Sequence, residues 1–284
     1  MKRFIENLLK KYQLRPSKKL GQNFLIDESV IKKIIKVAEL KKDDIILEIG
    51  PGIGNLTLEL AKKVKKVVAV EKDQRMIEIL EKLLESLDIR NVQIIKGDIL
   101  KLEPKTYNLK PKTYNLKPKT YRVVANIPYY LTSPLIRKFL EEKCPPKEMI
   151  LMVQKEVAQR ICANPPQMSI LAVSVQFYAE PKIISFVSKK SFWPQPKVDS
   201  AIIKIIPRKS AYSISVNQLL FFKIVKAGFS QPRKQLANNL SNGLKIDKEK
   251  VKNWLLKNNI QPTQRAETLS VGDWIKLTKS FKIK

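Results

Sequence analysis

ILEIGPGIGNLT, residues 46–57, is the segment of this 284-residue chain that most strongly indicates its fold. Its apolar beginning predicts a buried strand over Ile45–Ile49, and the segment NLTLELAKKV that follows carries apolar residues at helical spacing. Gly50, Gly52 and Gly54 lie between them, where a strand must turn into a helix. Glycine permits a tight turn there, or a close approach of the backbone to a ligand. We therefore predict a strand–turn–helix unit that opens an α/β domain.

The same alternation continues beyond this unit. MIEILEKLLESL (76–87) predicts an amphipathic helix between two further strands. The other predicted strands are Val67–Glu71, Val92–Ile95, Arg122–Ala125, Met149–Val153 and, late in the chain, Val198–Ile206. Strands that alternate with helices form a parallel sheet covered by helices on both faces. The fold class predicted from this pattern is α/β.

The pattern changes near residue 208, beyond which no strand is predicted. FFKIVKAGF, RKQLANNL, KEKVKNWLLKN and VGDWIKL each predict a short helix, and this region has 16 Lys or Arg against 4 Asp or Glu. We therefore predict an α/β domain over 1–207, with a basic helical extension at its N-terminus, and a small basic helical domain over 208–284. A PKTYNLK repeat fills 104–121, where recurring proline forbids a continuous helix and predicts an extended surface loop.

Composition narrows the class of function. The net charge of +29 favours a nucleic-acid partner, although a lysine-rich composition without such a partner is the alternative. The chain has no histidine and two cysteines, which excludes histidine acid–base catalysis and argues against histidine or thiolate metal sites. No apolar run reaches the roughly 18 residues of a membrane span, and the N-terminus does not resemble a signal peptide. We expect a cytoplasmic protein with no metal and no membrane partner.

Acidic residues stand at the ends of successive predicted strands. Glu71 ends the second strand, where a carboxylate can accept both ribose hydroxyls of a nucleoside. Asp98 follows the third strand and can accept from an adenine amine, and Pro51 in the glycine turn suits a nucleoside better than a pyrophosphate. Each acid can also be a solvated loop residue or a helix cap, and the turn can hold NAD. Their shared position at strand ends, where open α/β sheets bind ligands, favours a nucleoside site.

The tetrapeptide Asn126-Ile127-Pro128-Tyr129 follows the fourth predicted strand. An exocyclic adenine amine is a poor nucleophile because its lone pair is delocalised into the ring. Two acceptors that hold its N–H groups, the Asn126 side-chain oxygen and the Ile127 carbonyl kept extended by Pro128, can turn that lone pair outward. Tyr129 offers a face on which an extracted base can stack. A plain proline turn is the alternative, but the pattern favours adenine methylation by direct displacement.

Together these motifs resemble the small-subunit ribosomal RNA adenine dimethyltransferases over nearly the whole chain. The segments that carry the resemblance are KKLGQNFL (18–25), ILEIGPGIGNLT (46–57), VVAVEKD (67–73), GDIL (97–100), VVANIPYYLTSP (123–134), QKEVAQRI (154–161), SFWPQPKVDSA (191–201), GFSQPRKQLANNL (228–240) and RAETLSVGDW (265–274). The resemblance implies a Rossmann-like S-adenosylmethionine-dependent methyltransferase domain and a small all-helical C-terminal domain. It also implies N6,N6-dimethylation of two adjacent adenosines in the 3′-terminal hairpin loop of 16S rRNA, during biogenesis of the 30S subunit.

The resemblance also assigns residues to roles. It implies contacts to S-adenosylmethionine from one set of residues: Asn23, Leu25, Gly50, Glu71, Asp98 and Asn126. It implies that Tyr129 and Phe192 stack around the flipped adenine, although Phe192 can also be a core aromatic. We expect a monomer that binds small-subunit rRNA or a 30S precursor.

The chain departs from the family pattern at three places, and its motifs also allow other functions. Pro232 replaces a usual arginine, the segment 164–168 lacks a usual glycine, and Gly272 stands where an acid is common. The alternatives are a macrolide-resistance methyltransferase acting on large-subunit RNA, a non-catalytic assembly factor and an NAD-dependent oxidoreductase. RAETLSVGDW and QPRKQLANNL favour the small-subunit enzyme over the first alternative.

Overall fold

The computed structural model describes residues 2–17, 20–102, 121–142, 145–208 and 216–282. They form two compact units, Met1–Ala158 with Lys182–Ile206 and Gln159–Pro181 with Pro207–Lys284. Apart from Tyr121, the loop predicted over 104–121 lies outside the described residues. No helix in the described part of the chain is both long and apolar enough to cross a membrane.

A seven-stranded sheet forms the centre of the first unit. The described strands are β1 (Phe24–Leu25), β2 (Ile45–Ile49), β3 (Lys66–Glu71), β4 (Val92–Lys96), β5 (Arg122–Asn126), β6 (Met149–Gln154), β7 (Ala179–Val187), β8 (Phe192–Trp193) and β9 (Ser200–Pro207). The sheet has the order β4-β3-β2-β5-β6-β9-β7; strands β2 to β6 are parallel where they pair, and β9 runs antiparallel to β6. The predicted α/β class and its six strands are confirmed. Three strands were not predicted from the sequence: β1, β7 and β8.

Helices flank this sheet because their apolar faces complete its core. Most residues of β2, β3, β5 and β6 are buried, as expected for strands covered on both faces. Asp27 and Asp73 cap the helices Glu28–Ala38 and Gln74–Ser86 by accepting the backbone N–H of Ser29 and Arg75. The α-helices among the described residues are α1 (Lys2–Lys11), α2 (Glu28–Ala38), α3 (Asn55–Ala61), α4 (Gln74–Ser86), α5 (Thr132–Glu141), α6 (Lys155–Ile161), α7 (Ile170–Tyr178), α8 (Gln218–Gly228), α9 (Leu236–Leu244), α10 (Lys248–Lys257) and α11 (Val271–Lys279).

The predicted basic extension at the N-terminus forms α1. Its buried residues Ile5 and Leu9 pack in a cluster with Phe24, Ile53 and Met76. Phe24 belongs to β1 and Ile53 to the glycine turn, so α1 braces the turn from one side. The lysines of the helix remain at its surface.

The second unit is helical and contains the four helices predicted after residue 208, α8 to α11. The structure differs from the predicted partition in one segment. Gln159–Pro181, assigned from sequence to the domain over 1–207, belongs to this unit instead. The reason is packing: Phe177 of α7 stacks on Phe221 of α8 with ring centroids 4.2 Å apart. The apolar residues of α7 complete the core that α8 to α11 share.

Candidate active site

A cleft opens at the carboxyl ends of the parallel strands of the first unit. The structure brings every residue predicted for the site to its wall: Asn23, Leu25, Gly50, Glu71, Asp98, Asn126, Ile127, Pro128, Tyr129 and Phe192. They come from segments as far apart as residues 23 and 192, which the parallel topology places at one edge of the sheet.

The glycine turn lines the floor of the cleft. Gly50, Gly52 and Gly54 have φ of 66°, 56° and 91°, a region that other residues rarely adopt. At Gly54 the constraint is also steric, because a Cβ would lie 2.5 Å from Leu80 Cδ1 of α4. Glycine is therefore needed here for the conformation of the turn and for packing. The turn itself lines the cleft.

Glu71 ends β3 and is held by backbone donors. Its carboxylate accepts the N–H groups of Gly52 at 3.2 Å, Lys72 at 2.7 Å and Asp73 at 2.9 Å. Burial raises the pKa of Glu71, and these N–H groups oppose that rise. The contact with Gly52 links the carboxyl end of β3 to the glycine turn. The carboxylate is thereby fixed at the cleft wall, where it can accept hydroxyl groups.

Glu48 is an acid that the sequence reasoning passed over. It lies in β2 with 1% of its surface exposed, it lines the cleft, and its Oε2 has no hydrogen-bond partner among the described residues. Burial raises the pKa of Glu48 to about 8, and the neighbouring Glu71 carboxylate adds to the rise. The available signal was an acid inside an otherwise apolar strand, IILEI. The buried Thr57 hydroxyl interacts with this carboxyl and opposes the rise, but burial dominates and favours the protonated form of Glu48.

Asp98 lies just after β4 and forms an ion pair with Lys72. The Lys72 ammonium lies 3.0 Å from Asp98 Oδ2, and the other carboxylate oxygen accepts the N–H of Leu100 at 3.1 Å. Partial burial pushes the pKa of Asp98 upward, but Lys72 and that N–H outweigh it and lower the pKa overall. Asp98 is therefore an ionised acceptor at the cleft wall. The partnership with Lys72 was not anticipated from sequence.

The Asn126–Tyr129 segment enters the cleft from the end of β5. Asn126 Nδ2 donates to the Asn23 carbonyl at 3.3 Å, which leaves the side-chain oxygen available as an acceptor. Ile127 is buried and fixes the backbone at this point. The Tyr129 hydroxyl lies 2.7 Å from Ser200 Oγ, and burial raises the pKa of the phenol, so the group stays neutral. Asn126, Ile127 and Tyr129 all line the cleft.

The 20–25 segment is anchored by contacts distant in sequence. Leu25 of β1 pairs with Phe192 of β8, and Asn55 Nδ2 donates to the Leu25 carbonyl at 2.8 Å. The Gln22 amide donates to Asp73 at 3.0 Å. Phe192 is 3% exposed and packs in the main core of the unit while also lining the cleft. Phe192 is therefore a core aromatic that also reaches the cleft wall, and its stacking on the target adenine stays a prediction.

Comparison with known proteins gives consistent results. A family model described as "Ribosomal RNA adenine dimethylase" matches residues 14–282. The chain is 42% identical to "Ribosomal RNA small subunit methyltransferase A" of Dehalococcoides mccartyi (strain CBDB1), covering 97% of this chain and 92% of that protein. It is 40% identical to the protein of the same name from Geobacillus kaustophilus (strain HTA426), over 97% and 94%.

Two solved structures share the architecture. A dimethyladenosine transferase from Plasmodium falciparum superposes with a TM-score of 0.73 at 31% identity, covering 91% of this chain and 97% of that one. The 23S rRNA methyltransferase ErmE superposes with a TM-score of 0.70 at 26% identity, over 91% and 99%. These likenesses extend across both units.

Proposed function

Since this chain belongs to the ribosomal RNA adenine dimethylase family, we propose that its target is a pair of adjacent adenosines in the 3′-terminal hairpin loop of 16S rRNA. The chain is an S-adenosylmethionine-dependent enzyme that dimethylates adenine in small-subunit ribosomal RNA. The hairpin and the roles of individual residues are what the proposal adds. An NAD-dependent oxidoreductase, one of the alternatives left open by the glycine turn, is excluded by this membership.

The donor half of the cleft fits S-adenosylmethionine, which supplies an electrophilic methyl group on sulfur. Glu71 is fixed where it can accept two ribose hydroxyls, and ionised Asp98 can accept from the adenine amine. Gly50 leaves its backbone open to the ligand, while Asn23 and Leu25 close the cleft from the β1 side. Glu48, buried beside Thr57, adds a carboxyl group to the cleft lining. These residues match the polar groups of a nucleoside.

Activation of the target amine depends on Asn126 and Ile127. The Asn126 oxygen and the Ile127 carbonyl would accept the two N–H groups of the adenine amine and turn its lone pair towards the methyl group. The single observation that carries this proposal is the hydrogen bond from Asn126 Nδ2 to the Asn23 carbonyl. It turns the amide nitrogen of Asn126 towards Asn23 and leaves the amide oxygen as the acceptor for the target amine. Such preorganisation lowers the barrier without a strong base, as a chain without histidine requires.

Stacking holds the extracted base in place. The Tyr129 ring lies against the cleft with its hydroxyl tied to the buried Ser200, so its plane is fixed before RNA binds. Pro128 packs beside Gly50, 3.5 Å from the position of a Cβ there, and keeps the segment extended next to the glycine turn. Phe192 would form the wall opposite Tyr129. A fixed aromatic pocket compensates for the cost of unstacking the base.

The binding partner follows from charge. We propose that the basic residues of the second unit contact rRNA phosphates, and that a monomer acts on the 30S precursor in the cytoplasm. Support comes from the excess of lysine and arginine after residue 208. An ion atmosphere released by such contacts would make binding strongly dependent on salt.

The decisive experiment supplies the enzyme with radiolabelled donor and small-subunit particles that lack the modification, then digests the RNA to nucleosides. We expect label in N6,N6-dimethyladenosine from two adjacent positions of the 3′-terminal hairpin. Large-subunit RNA, in parallel, tests the macrolide-resistance alternative. Label confined to large-subunit RNA, or to another small-subunit site, would overturn the proposed target.

A further inference from the structure

An exposed aromatic ring and a lysine form a pair near the carboxyl end of β6, and the function proposed above makes no use of them. Phe186 of β7 is 52% exposed, and Lys155 Nζ lies 5.2 Å from the centre of its ring. This distance is within the range of a cation–π contact. A single exposed apolar residue is ordinary on protein surfaces, so exposure alone carries no meaning. Its position and charge decide what the pair can do.

The pair is connected to the proposed base pocket through adjacent residues. Lys155 directly follows β6, whose carboxyl end lies at the cleft edge of the sheet. Its backbone N–H donates to the Asp199 carbonyl at 3.0 Å. The next residue, Ser200, holds the Tyr129 hydroxyl at 2.7 Å. Lys155 and Tyr129 are thus tied to consecutive residues of one backbone segment.

The surroundings of the pair are basic. The Asp199 carboxylate accepts the N–H of Lys189, which positions the Lys189–Lys190 turn next to the same segment. No described carboxylate forms an ion pair with Lys155, Lys189 or Lys190, so their charges remain available to a polyanion. Exposed aromatic surface among unpaired lysines is the combination that binds single-stranded nucleic acid, since bases stack and phosphates pair.

We propose that Phe186 and Lys155 form a second base-binding position, which holds an unpaired nucleotide flanking the target adenosine. The Phe186 ring stacks on that base, and the Lys155 ammonium meets its phosphate. The position rests on the proposed function, since it serves the same RNA. By holding the neighbouring nucleotide, it keeps the loop open while the target base occupies the pocket beside Tyr129.

The test measures binding of a hairpin RNA that carries two adjacent loop adenosines. We expect Phe186→Ala to weaken affinity for this RNA about tenfold, within the range of base–aromatic stacking, and Phe186→Tyr to keep the wild-type affinity because it keeps the ring. Lys155→Met should lower the salt slope by the equivalent of about one neutralised phosphate. Leu87→Ala, which removes an equally exposed apolar side chain beyond α4, and Lys65→Met, ahead of β3, are matched controls at the opposite edge of the sheet. Unchanged affinity in a folded Phe186→Ala protein would overturn the proposal.

A series of RNAs, each abasic at one loop position, identifies the stacked nucleotide. The penalty of Phe186→Ala should disappear for one abasic RNA and persist for the others, as expected for two groups that stack on each other. A penalty that persists for every abasic RNA would contradict stacking. The affinity for a short single-stranded RNA distinguishes failure of this proposal from failure of the proposed hairpin target. If the wild-type protein does not methylate the hairpin but Phe186→Ala still weakens binding of the short RNA, the hairpin target is wrong and the second base-binding position stands.

Discussion

At the level of single residues, the side chains of the cleft are oriented by hydrogen bonds within the protein itself. Asn126 is oriented by Asn23, Tyr129 by Ser200, and Glu71 by three backbone N–H groups. Because these contacts exist in the protein alone, the groups need little rearrangement when substrates bind, and reorganisation contributes little to the barrier. Substitutions that remove a functional group can therefore be distinguished from those that disturb its support.

Asn126→Ala tests the activation of the amine. We expect turnover to be abolished while RNA affinity changes little, because phosphate contacts carry most of that affinity. Tyr129 supplies a contrast. Tyr129→Phe keeps the ring and removes the hydrogen bond to Ser200, which contributes about 1 kcal/mol, so it should keep most activity. Tyr129→Ala should be inactive because stacking contributes about 1–3 kcal/mol.

Single-turnover methylation of the three variants, with RNA binding measured in parallel, checks both expectations. Full activity of Asn126→Ala would contradict activation by hydrogen-bond acceptors.

Glu71→Ala tests donor binding. Removal of a charged acceptor for two hydroxyls should weaken donor affinity at least about tenfold, measured by isothermal titration calorimetry. The structure adds a second effect, since the same substitution leaves the N–H groups of Gly52, Lys72 and Asp73 without their acceptor. We therefore expect a lower melting temperature as well. Glu71→Gln, which retains an acceptor oxygen, is the control, and equal donor affinity in all three proteins would remove Glu71 from the site.

Glu48 predicts a pH dependence of stability. Between its ordinary pKa of 4.5 and its folded value of about 8, the folded protein keeps a proton that the unfolded chain has released. The contribution of Glu48 to stability therefore falls as pH rises through this window and levels off above it. Urea unfolding without donor, at several pH values, should show a steeper decrease in wild type than in Glu48→Gln. Parallel curves for the two proteins would show that the Glu48 pKa is not raised.

At the level of helices, strands and turns, the turn between β2 and α3 places a strict requirement on Gly54. Gly54→Ala combines a φ of 91° with a Cβ 2.5 Å from Leu80 Cδ1. Backbone strain of this kind costs about 1–3 kcal/mol before the clash is counted. The free energy of unfolding from urea titration should fall by at least that amount. Gly272→Ala, in the first turn of α11, places its Cβ no nearer than 3.5 Å to Ser270 Oγ and should be neutral or slightly stabilising.

Leu80→Ala in the Gly54→Ala background separates strain from clash. The effect of Leu80→Ala alone is measured first, in a protein that keeps Gly54, and is subtracted. If backbone strain and the clash both destabilise Gly54→Ala, Leu80→Ala should then recover only part of the lost stability. A fully stable Gly54→Ala protein would show that the turn does not require glycine.

Across the whole chain, charge and the division into units determine how RNA binding can be tested. Truncation at residue 208 would remove α8 to α11 and leave the apolar face of α7 without its core. Charge removal on the intact chain is the sharper test. Two sets of three exposed lysines allow this comparison. One set lies on α10, and the other precedes strands of the first unit, away from the cleft.

Replacing Lys248, Lys250 and Lys257 of α10 by glutamine should flatten the plot of log affinity against log salt. The slope changes by about 0.7–0.9 for each phosphate that is no longer neutralised. The control replaces Lys41, Lys63 and Lys65, which are equally exposed but lie at the amino ends of strands, away from the cleft. Identical slopes for the α10 variant and wild type would show that this helix does not contact phosphates.

Much of the fold was predictable because its signals are local. The glycines of the turn, the apolar strands and the amphipathic helices each follow from residues close in sequence, and six strands and four C-terminal helices were predicted in this way. Strand β7 was not predicted, because its sequence AEPKIISFV alternates weakly and contains a proline. Strands β1 and β8 are two residues long and exist only because they pair with each other.

The order of strands and helices, the glycine turn and the types of residue at each strand end all follow from the amino-acid sequence, since they depend on local periodicity and conformational preference. Tertiary packing was needed to establish that Leu25 meets Phe192, that α7 joins the second unit, and that Glu48 is buried with a pKa of about 8. Each of these depends on which distant surfaces pack together and exclude water. Periodicity reports which face of an element is apolar, but packing alone determines which partner covers that face.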